Sequence, residues 1–168
     1  MNEVKDLILD KKQVYQKIKR MAFEIFENNI EAKELIIAGI PPGGYKLAKM
    51  LIEQLSKITP FKLTLVKILL EKKGKLNSKV ELDIDPSKAS GKTVIIVDDV
   101  LHTGKTFILG MKPFLDVDVK KIQVAVLVNR SYAVFPVNAT YTGYELSTTL
   151  NDHINVNLDK KGFGVYLY

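Results

Sequence analysis

The chain has 168 residues, 46% of them hydrophobic, and a formal net charge of +6 from 25 Lys and Arg against 19 Asp and Glu. That length suits one domain with a sizeable core over residues 1–168 and is short for two, while the basic excess suits a phosphate-bearing partner without requiring nucleic acid. The absence of cysteine excludes a disulfide framework, thiol catalysis and a cysteine zinc site, and no apolar run approaches the roughly 20 residues of a membrane span, so a cytoplasmic protein is expected.

Asp10 followed by Gln13 forms a capping-box pattern, and Val14, Ile18, Met21 and Ile25 recur at helical spacing, which predicts an amphipathic helix over 11–28. LIIAGI, 35–40, predicts a strand buried on both faces and closed by the turn PPGG. From Gly44 onward Leu47, Leu51, Leu55 and Ile58 mark one face of a second helix, with Pro60 as its stop. KLTLVKILL, 62–70, and KVELDI, 79–84, predict strands on either side of an exposed, flexible segment, EKKGKLNSK, 71–79. TVIIVDDV, 93–100, is the clearest buried strand, and a helix is expected after the TGKT turn as far as Leu115. KIQVAVLVNR, 121–130, and ATYTGYEL, 139–146, read as further strands, and INVNLD and FGVYLY as a hairpin joined by DKKG. Strands alternating with helices, then a β-rich tail, predict an α/β domain with a mostly parallel central sheet.

Asp98 and Asp99 fall at the carboxyl end of a parallel strand, where ligands of open sheets collect. The residues that follow pass into a helix, so Thr103, Gly104, Lys105 and Thr106 place backbone N–H groups and two hydroxyls at its start, a setting that suits a phosphate monoester. Carboxylates repel phosphate but accept hydrogen bonds from a sugar diol, so a ribose 5-phosphate satisfies both halves. Taken singly, each of these residues also has a structural reading, an aspartate capping a turn or a threonine opening a helix. GKT occurs at 91–93 and 104–106, but the nucleotide-binding P-loop needs glycine five residues before the second one, where Pro86 and Asp99 stand.

VIIVDDVLHTGKT, 94–106, resembles the phosphoribosyl diphosphate motif of type I phosphoribosyltransferases, and the resemblance is most detailed to the PyrR family of pyrimidine-operon regulators and uracil phosphoribosyltransferases. It extends to LILDKKQVYQKIKRMAFEIFENN as an opening strand and helix, LIIAGIPPGGYKLAK as a diphosphate-loop region, and VAVLVNR with ATYTGYEL as later core. The resemblance implies a parallel sheet flanked by helices with a small β-rich hood. It further implies transfer of ribosyl 5-phosphate from phosphoribosyl diphosphate to a nucleobase, uracil favoured, with Mg2+ held through the substrate near Asp98 and Asp99 rather than by direct ligation. Expected partners are phosphoribosyl diphosphate, a nucleobase or nucleoside monophosphate, and a second copy in a homodimer. The alternative is a PyrR-like regulator that senses nucleotide or binds RNA without catalysis.

The chain departs from that family at several points. Pro42, Gly43 and Gly44 stand where Thr-Arg-Gly is usual, so backbone amides replace an arginine as the grip on the leaving group. Lys67 takes the place of an arginine that acids normally follow, and Lys72, Lys73 and Lys75 either supply charge on loop closure or form a solvated run. In the acceptor pocket the resemblance gives Tyr141 a stacking role, with ordinary strand packing as the other reading, sets the Thr142 backbone against the ring edge, and brings Asn129 near an exocyclic oxygen. SYAVF keeps only Arg130 of a basic patch, which weakens the expectation of RNA binding. His102 is expected to be a loop residue touching ligand or a neighbouring subunit, and His153 a turn residue.

Overall fold

The computed structural model describes residues 5–71 and 75–168; Lys72 and Lys73 therefore lie outside the described residues. A short strand, β1 (Asp6–Leu9), leads into helix α1 (Lys11–Asn28). The Asp10 carboxylate accepts from the Gln13 amide at 2.8 Å and the Gln13 side chain accepts from the Asp10 amide at 2.9 Å, so the capping box is complete. Strand β2 (Glu34–Gly39) follows, then helix α2 (Gly43–Leu55) and strand β3 (Lys62–Leu70). Next come the short β4 (Val80–Leu82), β5 (Thr93–Leu101) and helix α3 (Lys105–Leu115). The chain ends with β6 (Lys121–Asn129), β7 (Tyr141–Glu145), β8 (Ile154–Asn157) and β9 (Gly164–Leu167).

Six strands form one sheet in the order β4-β3-β2-β5-β6-β7, parallel except for β4 at its edge. Side chains alternate between faces along each strand. Leu35, Ile37, Ile95, Val97, Ala125 and Leu127 meet α1 and α2 in one cluster, whereas Ile36, Ala38, Val94, Ile96, Val124 and Val126 meet Phe107 and Phe114 of α3 in the other. Helices cover both faces, which is why the central strands read as unbroken apolar runs. A second sheet, β1-β9-β8, is antiparallel and docks Leu9 and Val165 into the first cluster. The opening strand thus pairs with the end of the chain, and with the hairpin it makes the small β-rich unit expected beside the parallel sheet.

Helix α2 stops earlier than its apolar spacing predicts. It ends at Leu55, and the Ile58 amide donates to the Leu55 carbonyl at 3.0 Å in a succession of turns before Pro60. Ile58 still packs on the core, so its burial mimics a further helical turn. Strands β4 and β7 are shorter than the segments 79–84 and 139–146. Between β3 and β4 the Lys112 ammonium donates to the carbonyls of Leu76 and Ser78 at 3.2 and 3.0 Å, and Ser78 is buried, so that part of the segment is anchored to α3 rather than wholly exposed.

Candidate functional site

Strands β2 and β5 are parallel neighbours, but α2 carries the chain from β2 outward to β3 and α3 carries it from β5 the other way to β6. The loops leaving their carboxyl ends therefore diverge and leave a crevice, the place where ligands sit in open α/β sheets. Gly39 and Val97 are the last pair in register, and the Ile40 amide donates to the Val97 carbonyl at 2.9 Å. Just beyond that pair come Asp98 and Asp99 on β5 and the PPGG turn after β2, with a cis Pro41–Pro42 peptide bond.

The two glycines permit a contact that no other residue pair would. A Cβ on Gly43 would lie 2.5 Å from Asp99 Cγ, and one on Gly44 would lie 2.7 Å from Asp98 Cα and 2.9 Å from Asp98 Oδ1. Backbone of the α2 start thus rests directly on the carboxylate pair. Neither α2, with Pro42 at its cap, nor α3, capped by Gly104 at φ 86°, receives a side-chain cap bond. The Tyr45 amide of α2 is taken by the Ile40 carbonyl and the Lys105 amide of α3 leans on the Thr103 hydroxyl, while the amides of Gly43, Gly44 and Thr106 make no hydrogen bond among the described residues; the two helix starts face the same crevice from opposite sides of the sheet, each favouring an anion.

The Asp99 amide donates to Asp98 Oδ1 at 2.9 Å. Burial, and then the neighbouring Asp99 carboxyl, push Asp98 well above the usual carboxylate range. A proton is therefore easily retained at Asp98, which limits charge repulsion next to an anion cradle. Thr103 accepts at its carbonyl from the amides of Val134 and Phe135, both at 2.9 Å, and its hydroxyl accepts from the Lys105 amide at 3.3 Å. The loop is thereby fixed to the segment after β6, with Thr106 half-buried at the head of α3.

Lys67 lies in register with Gly39, its amide donates to Asp83 Oδ1 at 2.8 Å, and its ammonium lies 4.7 Å from the centre of the Tyr45 ring. It is therefore beside the glycine turn. Lys46, in the first turn of α2, pairs with Asp159 at 2.7 Å and was not picked out from the sequence, because a lysine on an amphipathic helix carries no local signal of what its end faces.

The acceptor-pocket residues divide differently. Tyr141 is wholly buried; its hydroxyl donates to Gln123 Oε1 at 3.0 Å and accepts from Asn29 Nδ2 at 3.2 Å, below the level of Asp98. The stacking role given to Tyr141 is corrected: both ring faces are committed to the core, so ordinary strand packing is what holds. The Thr142 carbonyl accepts from Arg20 at 2.9 Å, leaving that backbone acceptor already engaged. Asn129 does reach the carboxyl edge, level with Leu101, where its side-chain oxygen accepts from the Ser131 amide at 3.0 Å. His153 opens the hairpin pairing, exchanging backbone bonds with Tyr168 at 3.1 and 3.0 Å.

A polar cavity of 310 Å³ opens beside the crevice, lined by Asp99, Val100, His102, Arg130 and the 153–156 segment of the small sheet. Arg130, which sequence reading treated as the remnant of a surface patch, is only 6% exposed. Its Nε donates to Thr148 Oγ1 at 2.7 Å, its Nη2 to the Thr149 carbonyl at 3.1 Å and its Nη1 to His102 Nε2 at 2.8 Å. Since guanidinium only donates, His102 accepts as a neutral imidazole. Partial desolvation first, then Arg130 and His153, hold His102 below its ordinary value.

Residues 5–160 match the family model described as the phosphoribosyl transferase domain. The chain is 34% identical to the bifunctional protein PyrR of Bacillus pumilus over 94% of its own length and 93% of that protein, and 34% identical to that of Bacillus subtilis over 95% and 93%. It is 33% identical to the pyrimidine operon regulatory protein of Lactococcus lactis over 91% and 90%. Among solved structures, a hypoxanthine-guanine phosphoribosyltransferase from Bacillus anthracis superimposes with a TM-score of 0.73 at 22% identity over 86% of this chain and 84% of that one. A hypoxanthine phosphoribosyltransferase from Staphylococcus aureus gives 0.73 at 18% over 87% and 83%. The crevice between β2 and β5 and the coverage of these matches lead to one assignment: the chain belongs to the phosphoribosyl transferase domain family, as a relative of the PyrR proteins.

Proposed function

We propose that this chain, as one domain over 1–168, transfers ribosyl 5-phosphate from phosphoribosyl diphosphate to a nucleobase, with uracil as the favoured acceptor. The observation that carries this reading is the seating of the Gly43–Gly44 helix start on Asp98 and Asp99, beside the start of α3. One crevice then offers two anion cradles with diol acceptors between them, which matches the 5-phosphate, ribose and diphosphate of a single substrate.

In the transfer the bond from C1′ to the diphosphate oxygen breaks, a bond from C1′ to the acceptor nitrogen forms, and the acceptor loses a proton. Positive charge gathers on the sugar ring while negative charge leaves with diphosphate, so the protein gains most by fixing both partners and meeting that outgoing charge. Thr103 to Thr106 hold the 5-phosphate. Asp98 and Asp99 accept from the ribose hydroxyls. The amides of Gly43 and Gly44, with Lys67 at hand, receive the diphosphate where an arginine is absent. Among the described residues no three His, Asp or Glu side chains converge on one point, and two adjacent carboxylates suit a Mg2+ ion that brings most of its oxygen ligands with the substrate. When bound, that ion would neutralise diphosphate charge.

A second reading, a regulator acting on RNA, is favoured by the names of the relatives, bifunctional and operon-regulatory alike. Titration with phosphoribosyl diphosphate and Mg2+, followed by an acceptor screen for diphosphate release, tests both. The doubly substituted Asp98→Asn, Asp99→Asn protein is expected to bind at least about tenfold more weakly, and unchanged affinity would sink the assignment of the crevice. Binding without turnover on any base would leave the regulator, to be tested with leader RNA at two salt concentrations.

A further inference from the structure

Tyr45 stands in the first turn of α2, directly after the glycine pair, and its amide donates to the Ile40 carbonyl at 3.1 Å, so the residue is tied to the turn itself. Two ammoniums gather on its half-buried ring: that of Lys67 on β3, 4.7 Å from the ring centre, and that of Lys49, one turn farther along α2, at 4.6 Å. Neither lysine enters an ion pair among the described residues. Asp83, which pairs with Lys67 at the sheet edge, takes its backbone amide at 2.8 Å and not its ammonium. The face of an aromatic ring attracts a cation, more strongly where water is partly excluded, as it is at half-buried Lys67.

A lysine ammonium on its flexible stem has many places to go, and one ring here confines two of them. Like charges held side by side repel until an anion lies against both, and the relief grows with the charge that the anion brings. Lys67 is level with Gly39, the last residue of β2, so the gathered charge stands beside the glycine turn and away from the Thr103–Thr106 cradle. We infer that Tyr45 is a positioning residue: its ring holds Lys67, with Lys49 in support, at the glycine turn as the cationic grip on the diphosphate that no arginine supplies in this chain. This rests on the phosphoribosyl reading of the crevice and says what equips its diphosphate half.

The test compares phosphoribosyl diphosphate with ribose 5-phosphate, which lacks the diphosphate, by calorimetric titration of the full chain in the presence of Mg2+. Wild type is expected to bind the diphosphate at least about tenfold more tightly. Tyr45→Leu is expected to weaken phosphoribosyl diphosphate roughly three- to tenfold and to leave ribose 5-phosphate unchanged. Tyr45→Phe, which keeps the ring, is expected to restore most of that loss, and Tyr45→Leu to add nothing in the Lys67→Met background. Should Tyr45→Leu fail to fold, Tyr45→Met carries the same comparison. No loss in Tyr45→Leu, a loss shared by both ligands, an equal loss in Tyr45→Phe, or an undiminished effect in the Lys67→Met background overturns the positioning role while leaving the crevice intact. So does a wild type that gains nothing from the diphosphate. If neither ligand binds, the crevice assignment falls and takes this inference with it.

Discussion

At the scale of single residues, Asp98 and the paired glycines are the sharpest points of attack. Because burial and Asp99 raise Asp98 in the folded chain above its unfolded value, the folded form holds that proton longer. Its stabilising share is full below the unfolded value and is lost as pH rises through the folded one. Asp98→Asn cannot ionise, so its melting temperature relative to wild type is expected to climb as pH rises above the ordinary carboxyl range; a difference independent of pH would contradict the cause given. Gly44→Ala forces a methyl against Asp98 Cα and the Val97 carbonyl and is expected to cost about 1–3 kcal/mol in urea unfolding. Gly43→Ala strikes the end of the Asp99 side chain, which can swing aside, and is expected to cost binding more than stability. The segment 94–106 was legible because strand end, carboxylates and helix start are consecutive. The contact of Gly43 with Asp99 was not, since nothing local says which two loops share a crevice. Tyr141 misled for a related reason: alternation tells which face a ring takes, not that Asn29 and Gln123 wait there for its hydroxyl.

Among the elements, α1 was read to its ends because both signals are written in the chain: a reciprocal cap at Asp10 and Gln13, and Asn29 closing the last turn. Asp10→Ala is expected to lose about 1 kcal/mol, seen as a fall of roughly 2–4 °C in melting temperature, with the crevice unaffected. Helix α2 has no side-chain cap at one end and its stop, Pro60, stands past the other, so the apolar spacing ran on to a partly buried Ile58 that belongs to a turn. The boundaries of β4 and β7 shrank because edge strands pair on one side only, so tertiary contacts rather than alternation decide where pairing ceases.

For the whole molecule, the class of sheet followed from alternating strands and helices, but the strand order did not, because hydrophobic runs are alike in β2, β5 and β6. The joining of β1 to β9 was equally hidden, and it gives the last residues a structural duty. Removal of residues 160–168 deletes the middle strand of the small sheet and uncovers Leu9 while losing buried Val165. A loss of roughly 3–6 kcal/mol is expected for those two side chains, measurable by urea unfolding. The neighbouring positions of β2 and β5 have a different kind of consequence. They meet at the central seam of the parallel sheet, and each carries half of the crevice. A molecule bound there cannot be held by either half alone, so the unfolded chain has no competing affinity for it. By mass action the ligand therefore acts as a clasp on the seam, and the protein should persist longest when a molecule that fills the crevice is plentiful.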